Sequence, residues 1–355
     1  MRRPDLQRRL LRVPGLGWLA RRRAERLFDL LAGFTYSQTL AAFVHLGAPE
    51  ALSGGPHKLG ELATTLGLSE PATERLLDAA VALELAAQTR DGRYRLGALG
   101  LPLLGRPELA VLIAHSALLY EDLRDPVRLL RDDRASATTL SEFWGYARAR
   151  DPAAVPAAAA AAYSQVMTAS QPLVGAVVLD AWPLARYRQL LDVGGGEGAF
   201  LRAAAASAPA LQLALLELPA VADRAAAAFD AAGLGARLTI HRGNFLTDPL
   251  PTGADCISLI RVCFDHDDGA VLRLLQQVHV ALPPGGTVLI AEPMAGLPGA
   301  KRVGVYFSLY LLAMRSGRPR TPAEFARLLR TAGFGTVRSV PTAAPIQTGL
   351  MVAFK

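Results

Sequence analysis

Two cysteines in 355 residues exclude a disulfide framework. Cys256 and Cys263 lie seven apart in one apolar segment, offer no metal-ligand spacing and read as buried thiols without a redox role. Lysine is nearly missing, with three against 35 arginines, and alanine is abundant, which points to a GC-rich genome more than to selected chemistry. No apolar run reaches the roughly 18–20 residues that span a bilayer without a charge, proline or glycine. The arginine-rich start also lacks the apolar core of a secretory signal. These absences predict a cytoplasmic protein.

What is present is a chain that is 51% hydrophobic, long enough for more than one core. Its net charge of +7 is uneven. Residues 1–30 hold nine arginines against Asp5, Glu25 and Asp29, a balance of +6, so almost all basic character sits at the N-terminus. Clustered arginine of this kind suits an anionic membrane surface, which predicts a peripheral contact with the inner membrane; a solvated helix face or frayed tail is the other reading.

The first half of the chain reads as helical. Leu27, Leu30, Leu31 and Phe34 fall at helical spacing and predict one buried stripe. Leu59–Leu66 and Glu70–Leu85 read as two helices around the turn at Gly67. Strands at Ala86–Thr89 and Arg93–Gly97 follow, joined at Asp91-Gly92. This is a winged helix-turn-helix pattern. Its second helix carries Glu70, Glu74, Arg75, Asp78 and Glu84, a net acidic set where phosphate contact needs a basic face. The unit is therefore expected to pack and dimerise, without nucleic acid. Further helical segments are expected at His115–Arg131, Leu140–Ala149 and Ala153–Ala181, although Ala153–Ala162 reads equally as a linker.

From residue 186 the period changes. Strand-length apolar runs at Gln189–Val193, Leu211–Leu218, Arg237–His241, Asp255–Val262 and Thr287–Glu292 are separated by helical patterns at Phe200–Ala208, Ala220–Ala232, Ala270–Ala281 and Pro322–Ala332. Alternation of this kind implies βαβ units and a mostly parallel sheet. Two short strands, Thr336–Val340 and Met351–Phe354, close the chain as a terminal antiparallel hairpin.

The first of these strands runs through Asp192 into Gly194-Gly195-Gly196-Glu197-Gly198 and then a helix, which uncovers backbone amides at a strand's C-terminal edge. The spacing is not that of a dinucleotide fold, and Glu197 would repel a pyrophosphate, so NAD is disfavoured. Glu217 ends the next strand at the distance that reaches a ribose diol. After the third strand, Asn244 and Phe245 supply an amide and a ring to bind and cover an adenine. Together they point to S-adenosylmethionine.

Leu191–Gly198, Glu217-Leu218-Pro219, Gly243-Asn244-Phe245, Arg261–Asp268, Leu282–Glu292 and Arg318–Thr321 with Glu324-Phe325 resemble the plant-type small-molecule O-methyltransferases. Within that family, His115–Arg131, Phe143-Trp144, Tyr163–Val174 and Glu292–Gly296 look like the bacterial hydroxyneurosporene (demethylspheroidene) type that methylates acyclic carotenoids in purple phototrophic bacteria. The resemblance implies a doubly wound α/β fold, a seven-stranded S-adenosylmethionine methyltransferase sheet preceded by a mostly helical winged-helix dimerisation domain. It divides the chain into residues 1–110, a helical substrate-pocket and linker region 111–182 and a catalytic domain 183–355. It also implies a homodimer, a small apolar carotenoid substrate and no metal. Gly194, Glu217, Asn244, Phe245 and Arg261 match its cofactor-contacting positions, with Asn244 in place of an aspartate; Asp192 and Gly196 belong to the same loop.

The catalytic position departs from the pattern. Where the plant-type motif reads Leu-His-Asp-Trp with histidine as base, this chain reads Cys263-Phe264-Asp265-His266. Phenylalanine accepts no proton. His266 is the first substitute, because residues two apart in extended chain face the same way; a solvated or core histidine is the alternative. Glu292 matches the family acid that orients the base, and Pro319 replaces a second acid. His115 and Tyr120 are expected to line the substrate pocket, with Val111–Leu119 and Tyr306–Met314 as its apolar stripes. Two other classes stay open, an O-methyltransferase for phenolic or polyketide hydroxyls and a non-enzymatic winged-helix regulator.

Overall fold

The computed structural model describes residues 16–132, 135–144, 171 and 174–355. These form two compact units, one ending at Ala114 and one beginning at His115.

The first unit comprises helices α1 (Leu16–His45), α2 (Ala48–Ala51), α3 (Leu59–Leu66) and α4 (Glu70–Ala82), then the paired strands β1 (Ala86–Gln88) and β2 (Tyr94–Leu96). Gly67 ends α3 in the left-handed conformation, and Ser69 Oγ accepts from Ala72 N–H to start α4, so the turn between the helices is written in those two residues. Phe43, Leu52, Leu62, Leu77 and Tyr94 form the small core. The winged-helix pattern is as expected. The apolar stripe of α1 is not: Leu27, Phe28, Leu30, Leu31 and Phe34 are each more than 60% exposed, so the expected burial is not supplied by the described residues. Trp18–His45 is also long and apolar enough to cross a membrane by length and composition, with a mean hydropathy of 1.2, although only 6% of that window is buried. A search for uninterrupted apolar runs passes over it because arginines and Gly33 break the run.

The second unit is built on a sheet of β3 (Gln189–Val193), β4 (Gln212–Glu217), β5 (Leu238–Arg242), β6 (Cys256–Ile260), β7 (Thr287–Glu292), β8 (Thr336–Val340) and β9 (Gly349–Phe354), ordered β5-β4-β3-β6-β7-β9-β8. The pairs from β5 to β7 are parallel; β9 inserts antiparallel between β7 and β8. Both faces are covered. Leu191, Val193, Ala214, Leu216, Ile257 and Leu259 enter one core, and the alternate Leu190, Leu213, Leu215, Cys256 and Ile260 enter the other. The order reverses between β3 and β6, the switch point where an open α/β sheet leaves a crevice for a ligand.

Helices α8 (Ala199–Ser207), α9 (Pro219–Ala231), α10 (Asp268–Ala281), α11 (Lys301–Met314) and α12 (Pro322–Thr331) join these strands. Before them come α5 (Pro107–Asp122), α6 (Pro126–Arg131) and α7 (Thr139–Phe143). The continuous helix expected over His115–Arg131 is thus broken. Pro126 disfavours helix in the residue before it, and the Asp125 side chain instead caps α6 by accepting from Arg128 N–H at 2.9 Å. Of the segments expected at Leu140–Ala149 and Ala153–Ala181, residues 145–170 lie outside the described residues, while 174–181 are helical.

Gly198 caps α8 with φ of +72°, and a Cβ there would stand 2.5 Å from the ring of the fully buried Phe229. Gly198→Ala is expected to lower unfolding stability by about 2–4 kcal/mol, from left-handed strain plus overpacking, read as a fall in the denaturant midpoint at unchanged slope.

Candidate active site

At the C-terminal edge of β3 the glycine loop turns with φ of +67° at Gly194 and +59° at Gly196, which only glycine adopts at low cost. A Cβ on Gly194 would press on Val262 and Phe245, and one on Gly195 would strike the Asp192 carboxylate, whereas the space before Gly196 is open. The loop is therefore packed from behind and open in front, a cradle with room for a ligand.

Glu217, at the end of β4, holds this cradle. Its Oε2 accepts from Gly196 N–H at 2.9 Å and its Oε1 from Leu218 N–H at 2.8 Å, and each oxygen keeps a lone pair for a diol. Asp192 lies fully buried beneath the loop. It accepts from Ser258 Oγ at 2.6 Å through one oxygen, and burial pushes its carboxyl up to about 7. Glu197, read as a repellent charge, is ion-paired to Arg224 at 2.9 Å. After β5, Asn244 Oδ1 accepts from Leu246 N–H and fixes the turn that carries Phe245, whose ring would meet a Cβ on Gly194 at 3.3 Å. The sheet thus brings Gly194, Gly196, Glu217 and Phe245 to one crevice.

The segment after β6 borders the same crevice. Arg261 adopts a left-handed φ of +59°, unusual for a non-glycine residue, and its N–H donates to Ala291 O. Its guanidinium stands 5.7 Å over the ring of Phe264. Glu292, at the end of β7, accepts from Val262 N–H at 3.0 Å and Cys263 N–H at 2.7 Å through Oε1 alone. Arg320, 1% exposed, donates to Cys263 O and His266 O, both at 2.7 Å, and to Asp268. Arg318 N–H reaches Phe264 O, and Ser316 Oγ reaches Asp265 O. The short 3-10 turn at Cys263–Asp265 is thus pinned on both sides.

His266 faces Phe245, ring centroids 5.5 Å apart, on the side of the crevice that holds the glycine loop's partners. Burial pushes its imidazole down to about 4, so it stands neutral and weakly basic. Asp265 is the reverse case. Burial raises its carboxyl to about 8 against the nearby Arg261 charge, and its Oδ1 is buried without a hydrogen-bond partner among the described residues. Glu292 is likewise raised to about 8 by burial and by the charge of Asp265, and its Oε2 is unpartnered.

Beyond Phe264 lies an aromatic and aliphatic cluster. Trp144 Nε1–H donates to Tyr310 Oη at 2.9 Å, and His115 Nε2 is hydrogen-bonded to the same oxygen at 2.7 Å. Burial pushes the His115 imidazole below its ordinary value. Leu119, Leu129, Leu140, Leu311 and Met314 surround them. Tyr120 lies close enough for its charge to bear on Tyr306, half-buried on α5. Asp265, Tyr310 and Arg320 were not singled out from sequence. Asp265 sat inside the quoted motif, but its environment depends on residues 27 to 55 positions away.

Residues 120–335 match an O-methyltransferase domain, and residues 28–105 an O-methyltransferase dimerisation domain. The chain is 41% identical to demethylspheroidene O-methyltransferase of Cereibacter sphaeroides, over 97% of this chain and 90% of that one. It is 40% identical to the enzyme of that name in Rhodobacter capsulatus, over 96% and 85%. Among solved structures, human N-acetylserotonin methyltransferase in complex with S-adenosylmethionine superposes with a TM-score of 0.78 at 26% identity, over 94% of this chain and 97% of that one.

The buried carboxyls bear on stability. Asp192, Asp265 and Glu292 titrate higher in the fold than unfolded, so between the two values the folded state binds more protons and stability falls as pH rises. His266, titrating lower, opposes this only below its ordinary value. From about pH 6.5 to 8 the carboxyls act alone, and unfolding free energy is expected to drop by up to about 1.4 kcal/mol per pH unit for each proton released, measured by denaturant titration at several pH values.

Proposed function

We propose an acyclic hydroxycarotenoid as the methyl acceptor, on the premise that the chain belongs to the O-methyltransferase family in which a dimerisation domain precedes the catalytic one. The protein is an O-methyltransferase with S-adenosylmethionine as methyl donor. The observation that carries the substrate is 41% identity to a demethylspheroidene O-methyltransferase over nearly the whole chain. The aromatic and aliphatic pocket around Phe264, Leu119, Leu311 and Met314 supports it, since a polyene needs a long apolar channel.

The open space before Gly196, and the free lone pairs of Glu217 behind it, fit a nucleoside with a ribose diol. Gly194, Gly196 and Glu217 would hold the ribose, Asn244 and Phe245 the adenine, and Arg261 the far end of the cofactor, with Asp192 shaping the loop from below. When bound, S-adenosylmethionine supplies an electrophilic methyl on a sulfonium. The chain's own work is to hold the acceptor oxygen in line, exclude water with the apolar pocket and take up a proton. His115 and Tyr120 would contact the hydroxyl end of the substrate.

The exposed apolar stripe of α1 from Phe28 onward falls in the dimerisation domain and would be covered by a second copy of the chain. Residues 18–26 precede that domain and carry exposed Trp18, Arg21, Arg22, Arg23 and Arg26, which suit the anionic surface of a membrane where carotenoids dissolve. The catalytic domain would then work from the cytoplasmic side.

Incubation with S-adenosylmethionine and hydroxyneurosporene or demethylspheroidene is expected to give a methoxy product by mass. Turnover on a catechol or flavonoid with none on the carotenoids would replace the substrate assignment with a phenolic one. For the membrane contact, co-sedimentation with anionic vesicles is expected to exceed that with neutral ones and to fall on deletion of residues 1–26; equal pelleting in either comparison removes that contact.

A further inference from the structure

We infer that Asp265 is the proton acceptor of the reaction, in the place left by Phe264. The inference rests on the O-methyltransferase reading of the site but not on which hydroxyl compound is methylated.

Four observations carry it. The carboxylate stands on the turn Cys263–Asp265, which leaves β6 at the switch point of the sheet, between Phe264, whose ring faces the apolar pocket, and His266, whose ring faces Phe245. The residue is half-buried, and its Oδ1 is itself inaccessible and has no hydrogen-bond partner among the described residues. An unpaired carboxylate oxygen in a dry site is costly unless something else uses it, and a substrate hydroxyl is the donor it lacks. Its backbone is fixed, with its carbonyl held by Ser316 and its neighbours Cys263 and His266 held by Arg320, so the side chain has a defined place that it does not itself maintain.

The other candidates are otherwise engaged. Glu292 spends Oε1 on two backbone N–H groups and maintains the turn. His266 packs against Phe245, and its neutral ring is a poor base. His115 Nε2 is engaged with Tyr310 Oη, which also accepts from Trp144.

The groups whose charge or dipole bears on Asp265 are Arg261 on its own segment, Glu292 on β7 and Tyr310 on α11. Burial disfavours the carboxylate, while Arg261 stabilises it. The balance makes it a stronger base than an exposed aspartate, as a weakly acidic alcohol requires. In the reaction the alcohol O–H proton passes to Asp265. The oxygen's electron pair forms the new C–O bond, the methyl–sulfur bond breaks, and its pair stays on sulfur as a neutral thioether. The proton is released to solvent when product leaves.

The test uses the full chain with Asp265→Asn and His266→Phe. Asp265→Asn is expected to lower kcat by about 10²–10⁴-fold while the S-adenosylmethionine Kd, measured by calorimetry, stays within about twofold. His266→Phe is expected to change the Kd more than kcat. An independent readout is the infrared absorption of protonated carboxyl groups in the protein without substrate. The wild-type minus Asp265→Asn difference should contain one such band that disappears as pH is raised through about 8. Asp265→Asn within tenfold of wild-type kcat, or a large kcat loss confined to His266→Phe, overturns the assignment. Should Asp265→Asn not fold, the wild-type pH–rate profile decides: kcat rising through about pH 8 upholds the inference and a flat profile refutes it. Absence of product from the carotenoid with turnover on a phenol refutes only the substrate, and the same variants are then read with that phenol.

Discussion

The segment from Arg261 to Asp267 leaves a buried parallel strand through a single 3-10 turn, so several of its amides and carbonyls must be satisfied by side chains in a dry place. Two side chains do this from opposite sides. Glu292 takes the N–H groups of Val262 and Cys263, and Arg320 takes the carbonyls of Cys263 and His266. Both are ionisable and nearly inaccessible, and each is tolerable there because it meets several backbone partners. Removing either would leave polar backbone stranded as well as a displaced turn. The reactive end of the site depends on this pairing, because the segment it holds carries Phe264 into the apolar cluster and His266 against Phe245, with Asp265 between them.

The cofactor side rests on a different device. The glycine loop is held from below by Asp192 with Ser258 and from the side by Glu217 with Gly196, so backbone conformation and carboxylate position define each other. The same oxygens of Glu217 that fix the loop retain capacity for a ligand. This arrangement is preorganised, whereas the far end of the crevice gathers side chains from α5, α7 and α11 whose contacts are mainly apolar. A charged, rigid cradle beside a greasy pocket suits two ligands of opposite character.

Most of the sheet was legible in the sequence, because strands buried on both faces read as short apolar runs bounded by turns, and observed ends fall within a few residues of those expected. The winged-helix unit was legible through Gly67, Ser69 and Asp91-Gly92, residues whose local chemistry fixes turns whatever surrounds them. The break at Asp125-Pro126 was equally local but was outweighed by helical periodicity on both sides. What sequence could not supply was environment. Glu292 was read as an acid that orients a base, yet in the structure it binds backbone amides. His266 was a candidate by spacing alone, and only the packing against Phe245 reveals which way it faces. The exposed stripe on α1 shows the same limit in reverse: periodicity demanded a partner but could not say that none of the described residues covers it.

Phe264, at the position where the plant-type motif that this chain resembles carries histidine, puts an apolar ring next to Asp265 and meets Phe307 edge-on at 5.9 Å. In such surroundings a carboxylate is raised in basicity by the same burial that would make a histidine less basic, as His266 illustrates a single residue away. Burial therefore favours an acid over an imidazole as proton acceptor at this position. A site that must hold an apolar substrate and deprotonate a weakly acidic alcohol meets both demands with phenylalanine at 264 and the proton taken up by the neighbouring aspartate.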